Sequence, residues 1–283
     1  MSRIFRDDLF AGQVCLVTGG GTGIGAATAR ELGQLGAQVV IASRKEANIR
    51  PAAEGLSHEL GREVVGEICD IRDREHTAGL IDRVLTRFGK IDLLVNNGGG
   101  QFFSPAEAIS GKGWDAVIAT NLTGTWNLTK AAADAWMLKH GGCIVNVTML
   151  TEGAFPGMAH SVAARSGVEA MTRTLAVEWA NLGIRINSLA PGFVASSGIN
   201  RYPAGLDLIS RMQSFVPMKR LATCEEIAWF IAYLASPAGN YITGETIAID
   251  GGKSLWGDWW PIADPDPMPP VVIPKEPWET GGE

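Results

Sequence analysis

The sequence predicts an α/β protein built on a doubly wound parallel sheet, in one domain with an irregular C-terminal tail. Short runs rich in β-branched residues alternate with helical patterns from residue 13 to about residue 250, and this alternation is typical of a parallel sheet. The strands are continuous apolar runs, as expected when helices cover both faces of a sheet. Because no linker-like change in composition divides this part of the chain, we expect a single domain.

The predicted strands are, in order, VCLVTG, AQVVIAS, EVVGEICD, IDLLVNN, GCIVNVT, IRINSLAPG and ETIAIDGG. The segments between them are long enough for the helical crossovers of a doubly wound fold. We place the domain at residues 1–253, with a substrate loop at about 193–220.

Residues 254–283 form the predicted tail. Its many prolines exclude a helix or a central strand, and it holds four of the nine tryptophans. Exposed aromatic rings are unfavourable, so we expect the tail to pack on its own or a neighbouring subunit rather than stay solvated.

Composition excludes several classes of function. With 46% apolar residues, 19% charged residues and a net charge of -6, the chain can bury a core but lacks the clustered cations of a nucleic-acid binder. The four cysteines have no metal-ligand spacing and follow no secretory segment, which favours reduced thiols, a cytoplasmic location and no metal. No apolar run approaches the ~20 residues of a membrane span.

A glycine-rich segment follows the first strand and opens a helix. In LVTGGGTGIGAATARELG, Gly19, Gly23 and Gly25 have the spacing that lets backbone N–H groups approach a pyrophosphate at a helix N-terminus. We expect Thr22 and Ile24, which lie between them, to take part as well. The alternative is a plain tight turn between strand and helix.

The end of the second strand indicates which dinucleotide is bound. An NAD enzyme usually places a carboxylate there for the ribose 2′-hydroxyl, whereas this chain has Ser43 followed by Arg44 and Lys45. Cations can bind a 2′-phosphate that a carboxylate would repel. The sequence therefore favours NADP(H), unless Arg44 and Lys45 are merely the solvated start of a helix.

Together the motifs resemble the short-chain dehydrogenase/reductase family over residues 10–253. They are TGxxxGxG at 18–25, CDI at 69–71, VNNGGG at 95–100, NLTG at 121–124, APG at 190–192 and ITGETIAIDGG at 242–252. The resemblance implies a seven-stranded Rossmann sheet and a homo-oligomer, usually a tetramer. It also implies cofactor contacts, which fall on Asp70, Ile71, Asn97, Gly98, Gly99, Pro191, Gly192, Val194 and Ser196.

The same resemblance implies a catalytic set with two substitutions. The family's usual upstream Asn and its Ser fall on Asn121 and Thr148, but its Tyr and Lys fall on Ser161 and Arg165. Arg165 remains able to bind nicotinamide ribose hydroxyls. Ser161 and Arg165 still share one helix face at i, i+4 spacing.

Other residues could supply the lost acid and base function. His160 is one candidate, because an imidazole can act as both acid and base near neutral pH; a packed or capping histidine is the alternative. Tyr202 lies in the predicted substrate loop and is the one tyrosine placed to swing in.

The presence of Ser161 and Arg165 in place of Tyr and Lys affects which reaction the site can catalyse. An alkyl hydroxyl is far less acidic than a phenol, and Arg is effectively always protonated, so alcohol–ketone interconversion would be costly. Reducing a C=C bond conjugated to a thioester is less demanding, because the enolate oxygen needs only hydrogen-bond donors. NNGGGQF and HSxAARxGV are similar to the branch of trans-2-enoyl-CoA and 2,4-dienoyl-CoA reductases, which implies a hydrophobic acyl-CoA substrate.

Two other interpretations stay open. One is a carbonyl/alcohol oxidoreductase acting on a hydrophobic substrate, as in citronellol/citronellal dehydrogenases. The other is an NADP(H)-binding protein without catalysis. An apolar substrate lining is expected from Phe102, Phe103, Leu150, Phe155, Met158, Phe193 and Leu206, and rim cations for coenzyme A from Arg201, Arg211, Lys219 and Arg220.

Overall fold

A single seven-stranded sheet forms the centre of the protein. The computed structural model describes residues 5–201, 208–257 and 260–279. The strand order is β3-β2-β1-β4-β5-β6-β7, and all neighbouring strands pair in parallel, which confirms the predicted fold class. The strands are β1 Val14–Thr18, β2 Gln38–Ser43, β3 Val64–Ile68, β4 Leu93–Asn96, β5 Gly142–Val147, β6 Ile184–Pro191 and β7 Thr246–Ile249.

Helices cover both faces of this sheet. They are α1 Gly23–Gln34, α2 Glu46–Leu60, α3 Arg74–Phe88, α4 Gly111–Ile118, α5 Gly124–Ala132, α6 Leu138–His140, α7 Ala159–Trp179, α8 Leu208–Ser214 and α9 Cys224–Ala235. Side chains of β1 alternate between two cores: Cys15 and Val17 pack with α1, α2 and α9, whereas Leu16 packs with α3, α5 and α7. The strands are apolar on both faces because each face is buried.

The order of the strands places a crevice at one edge of the sheet. β1 pairs with β2 on one side and with β4 on the other, so the chain winds away from β1 in both directions. In such folds ligands bind at the carboxyl ends of the strands beside this switch point.

Two local features position polar side chains at that edge. A π-helical segment, Ala119–Thr123, joins α4 to α5 and carries the fully buried Asn121; π-turns inside helices are frequent at functional sites. After the segment that follows β6, Thr223 and Glu226 form a reciprocal capping box that starts α9.

The C-terminal segment has no regular secondary structure over residues 260–279 and lies against the chain's own domain. Gln213 Nε2 donates to the Pro269 carbonyl over 2.8 Å, and Trp278 Nε1 donates to the Gly21 carbonyl over 2.7 Å. None of the helices in the described part of the chain combines the length and the hydropathy of a membrane span.

Candidate active site

The glycine-rich loop between β1 and α1 forms a backbone cradle. Gly19 and Gly23 have φ angles of +63° and +53°, a region that favours glycine. A Cβ atom at Gly25 would lie 2.1 Å from the Gly19 carbonyl oxygen, so a side chain cannot be placed there. Thr22 is the N-terminal flanking residue of α1, and Ile24 lies in its first turn. The loop thus presents free helix N–H groups, where a phosphate is stabilised.

The loop after β4 is fastened to this cradle. Asn97 Nδ2 donates to the carbonyls of Thr18 and Gly19 over 3.0 and 3.3 Å. In turn, Thr18 Oγ1 accepts from the N–H groups of Asn97 and Gly98. The structure therefore brings Gly19, Asn97 and Gly98 together, as the sequence predicts.

The end of β2 carries a polar atom with no partner. Ser43 Oγ is buried and has no hydrogen bond within the described structure, while Arg44 and Lys45 beside it are exposed. A buried hydroxyl is costly when unpaired, and a bound phosphate or ribose would satisfy it. The end of β2 thus combines one unpaired hydroxyl with two exposed cations.

Asp70 and Ile71 follow β3 at the same edge. A hydrogen bond from Arg72 lowers the pKa of Asp70, and the charge of Arg44 contributes. Asp70 therefore stays ionised, and Arg72 occupies its carboxylate. Ile71 is buried, and Gly98 and Gly124 lie against its side chain.

Asn121 fixes the triple-glycine loop through its amide. Its Nδ2 donates to the Gly100 carbonyl and its Oδ1 accepts from the Gly100 N–H, both over 3.0 Å. Because both ends of the amide are engaged, Asn121 acts here as a backbone clamp.

Arg165 is a buried cation on α7. Its Nη1 donates to the carbonyl of Val147, the last residue of β5, over 2.9 Å, and its Nε has no partner among the described residues. Burial lowers its pKa to about 10. Its Nη2 lies so close to Gly99 that a Cβ atom there would be 2.3 Å away. Arg165 Nε is therefore a buried donor with no acceptor among the described residues.

Ser161 lies one turn before Arg165 and donates to a carbonyl. Its Oγ is 2.8 Å from Gln101 Oε1 and 3.4 Å from Met149 Sδ. Sequence reasoning missed Gln101, although it directly follows the triple glycine. The Ser161 hydroxyl is thus positioned to hydrogen-bond a carbonyl oxygen.

His160 is adjacent to Ser161 but packs on another residue. Its ring meets the Phe102 ring edge-on, with centroids 4.4 Å apart, and Nδ1 accepts from the Ser161 N–H over 2.9 Å. Nε2 is buried without a partner among the described residues. The structure therefore gives His160 the packed environment that the sequence left as the alternative, while Tyr202 lies outside the described residues.

Thr148, which follows β5, contacts the carboxylate of Glu169. Sequence reasoning missed Glu169. Thr148 Oγ1 donates to the Leu189 carbonyl over 3.1 Å and lies 3.3 Å from Glu169 Oε1. Glu169 also accepts from Thr151 over 2.7 Å, and burial raises its pKa. The i, i+4 series 161, 165 and 169 was the sequence signal that could have found it.

The segment after β6 passes over the start of α1. Pro191 ends β6, Gly192 donates to the Ile249 carbonyl, and Val194 packs in the apolar core. A Cβ atom on Gly23 would lie 3.4 Å from Ser196. Two strands therefore bring this segment and the glycine-rich loop face to face.

The residues predicted to line the substrate site differ in how deeply they are buried. Leu150 and Met158 are buried, whereas Phe102 and Phe103 are partly exposed. Phe155 and Phe193 have ring centroids 6.2 Å apart. Leu206 and the side chain of Arg201 lie outside the described residues.

Two of the cations predicted to bind coenzyme A form ion pairs with carboxylates of the protein itself. Lys219 pairs with Asp264, and Arg220 pairs with Glu226. These two residues are therefore explained by contacts within the protein, without coenzyme A.

Comparison with known proteins identifies the family. The family model described as Enoyl-(Acyl carrier protein) reductase matches residues 19–254. A peroxisomal 2,4-dienoyl-CoA reductase of Danio rerio is 35% identical over 258 residues, which cover 90% of this chain and 85% of the relative.

Two solved structures share the fold at moderate identity. The citronellol catabolism dehydrogenase AtuB of Pseudomonas aeruginosa is 42% identical, with a TM-score of 0.80, covering 89% of this chain and 99% of its own. A variant of actinorhodin polyketide ketoreductase with NADPH is 30% identical, with a TM-score of 0.81, covering 86% of this chain and 98% of its own. By its fold, its cradle and these relatives, the chain belongs to the short-chain dehydrogenase/reductase family of nicotinamide-dependent oxidoreductases.

Proposed function

We propose that the protein is an NADPH-dependent reductase of the C=C bond of a 2-enoyl thioester, with hydride transfer to Cβ. The hydrogen bond of 2.8 Å from Ser161 Oγ to Gln101 Oε1 carries this proposal. The acceptor is an amide carbonyl oxygen, chemically close to the carbonyl oxygen of a thioester. A substrate carbonyl that displaces Gln101 would receive the same hydrogen bond.

The cofactor end of the site fits a phosphorylated dinucleotide. The unpaired Ser43 hydroxyl and the exposed Arg44 and Lys45 would hold the 2′-phosphate. The free Nε of Arg165 would bind a hydroxyl of the nicotinamide ribose. When bound, NADPH supplies the hydride.

The remaining polar groups favour charge stabilisation over proton exchange. The Asn121 amide is occupied by Gly100 at both ends, and the single hydrogen of Thr148 Oγ1 is directed to Leu189 or Glu169. Ser161 Oγ donates to the Gln101 side chain, which a substrate carbonyl would displace, so we assign Ser161 as the donor to the enolate oxygen. Because a serine hydroxyl is a weak acid, water protonates Cα after hydride transfer.

The relatives support this type of reaction. The family model is named for enoyl reduction and the zebrafish relative for dienoyl-CoA reduction. Both names describe C=C bonds conjugated to a thioester, for which the site needs a hydrogen-bond donor.

The test is NADPH oxidation with crotonyl-CoA and longer 2-enoyl-CoAs. We expect turnover by the wild-type protein and a loss of about 10²-fold in kcat for Ser161→Ala, with the Kd for NADPH unchanged. Ser166→Ala, five positions further along α7, is the matched control. An absence of turnover by a wild-type protein that binds NADPH contradicts the proposal.

A second candidate is an alcohol or aldehyde oxidoreductase acting on a hydrophobic substrate. Its support is the 42% identity to AtuB, whose title names citronellol catabolism. This reaction would need an acid and base, for which His160 is the nearest titratable group to Ser161 in the chain. Oxidation of citronellol with NADP⁺, together with its loss in His160→Ala, would favour this candidate; undiminished oxidation in that variant removes the histidine mechanism.

A further inference from the structure

The end of the described chain lies across the cofactor site. We name residues 276–279 the C-terminal strap. Its side-chain hydrogen bonds reach three separate elements: the glycine-rich loop, helix α1, and the segment that follows β6. Two of these, the glycine-rich loop and the segment after β6, contain predicted cofactor contacts.

Trp278 fastens the strap to the glycine-rich loop. Its indole Nε1 donates to the Gly21 carbonyl over 2.7 Å. Its ring lies on α2 so closely that a Cβ atom at Gly55 would be 2.1 Å from Cε3. A large ring in close contact and a directed hydrogen bond together fix the Gly21 peptide, whose neighbours form the phosphate cradle.

Glu276 fastens the strap to α1 through an ion pair. Its carboxylate lies 2.6 Å from Arg30 Nη2, and the side chains of Glu276 and Arg30 are 11% and 19% exposed. Arg30 Nε pairs on its other side with Glu59 of α2. Since the pair is largely shielded from water, it is screened less than a surface ion pair.

Glu279 joins the strap to the other wall of the crevice. Its Oε1 accepts from Ser197 Oγ over 2.8 Å, and its Oε2 accepts from the Glu276 N–H over 3.0 Å. Ser197 directly follows Ser196, which lies against Gly23 of the cradle. The strap therefore spans from the cradle to the segment after β6.

We propose that the C-terminal strap is part of the cofactor site, with Trp278 as a positioning residue for the glycine-rich loop. The strap holds the Gly21 peptide and the Ser197 segment in one arrangement, so the cofactor meets a site that is already ordered. Preorganisation of this kind raises affinity because less ordering is left to occur on binding. The proposal rests on dinucleotide binding within the proposed function and is independent of the substrate.

The first test measures dinucleotide binding without any substrate. Trp278→Phe keeps a large ring and removes the N–H donor. Trp256→Phe is the matched control, because Trp256 Nε1 donates to the Trp260 carbonyl within the tail. We expect Trp278→Phe to raise the Kd for NADPH and for NADH by about 3- to 10-fold, the usual effect of one hydrogen bond. Trp256→Phe should leave both values unchanged.

Truncation after Lys275 removes all three attachments and should weaken binding more than Trp278→Phe does. Thermal unfolding of each cofactor-free variant separates a local effect from global destabilisation. A folded truncated protein with unchanged or tighter cofactor binding overturns the proposal; tighter binding would mean that the strap obstructs the site.

Thermodynamic linkage between strap docking and cofactor binding provides a second test, which uses the wild-type protein. If the strap strengthens cofactor binding, the cofactor must stabilise the docked strap by the same factor. Lys275 is exposed and directly precedes the strap, so trypsin cleavage after Lys275 reports its release. We expect saturating NADPH to slow this cleavage at least 3-fold, and an unchanged cleavage rate contradicts the proposal. Because neither test uses an enoyl substrate, a failed reductase assay leaves both results interpretable.

Discussion

Gly99→Ala should displace the Arg165 guanidinium and press more weakly on the Asn121 amide beside it. A Cβ atom at Gly99 would lie 2.3 Å from Arg165 Nη2 and 3.0 Å from Asn121 Oδ1. Ordinary van der Waals contact begins near 3.4 Å, so the guanidinium has to move by about 1 Å. Gly99 is not among the glycines with a positive φ, so the added methyl group brings a steric conflict without backbone strain.

The expected magnitude follows from what that movement breaks. Overpacking a buried site costs about 1–3 kcal/mol, and loss of the hydrogen bond to the Val147 carbonyl adds about 1 kcal/mol. The free energy of unfolding should therefore fall by roughly 2–4 kcal/mol. Because we propose that Arg165 binds the cofactor, a displacement of about 1 Å should also lower turnover by about 10²-fold.

Gly100→Ala is the control at the next position. A Cβ atom there meets nothing within 4 Å, and the two hydrogen bonds of Gly100 to Asn121 use only its backbone. Both variants lose the same unfolded-chain entropy, so that effect cancels in their difference. Urea unfolding of the two cofactor-free variants is the assay. Unfolding free energies that agree within about 0.5 kcal/mol would refute the steric argument.

Two other substitutions test the electrostatics and a helix start. Burial raises the pKa of Glu169, so the folded protein binds more protons than the unfolded chain between the ordinary and the raised pKa. Stability is lost as pH rises through that window; urea unfolding from pH 4 to pH 8 should show a smaller loss for Glu169→Gln, and parallel profiles would contradict the assignment. Thr223→Ala removes the acceptor for the Glu226 N–H at the start of α9 and should lower the melting temperature by about 2–4 °C, whereas an unchanged melting temperature would show that the capping box adds nothing.

The sheet could be predicted because each buried strand is a short run of mostly apolar residues that are adjacent in the sequence. β1, β4 and β5 are covered on both faces, so most of their residues are apolar, and such runs need no alignment to recognise. Because the strands are parallel, the residues that follow each strand lie at the same edge of the sheet, the edge of the carboxyl ends. For that reason Ser43, Asn97 and Gly192 could be assigned to one site before their distances were known.

The contacts across that edge could not be predicted in the same way. Trp278 and Gly21 are 257 positions apart, and no local periodicity relates them. The π-turn at Asn121 breaks the helical register on which spacing arguments depend. Glu169 was predictable in principle from its spacing to Arg165, but its contact with Thr148 depends on where β5 ends.

The polar atoms without partners are concentrated where the site is expected. Within the described residues, five buried side-chain atoms lack a hydrogen bond: Ser43 Oγ, Asn127 Oδ1, His160 Nε2, Arg165 Nε and Thr246 Oγ1. Three of them belong to predicted site residues, although buried polar groups are satisfied in the great majority of cases.

Each unpaired atom disfavours the folded state, and Arg165 adds the cost of a buried charge. In the proposed function, Ser43 binds the adenosine ribose and Arg165 binds the nicotinamide ribose, so a bound dinucleotide would reduce both costs. We therefore expect saturating NADPH to stabilise the protein against urea unfolding, and an unchanged unfolding midpoint would contradict these two assignments.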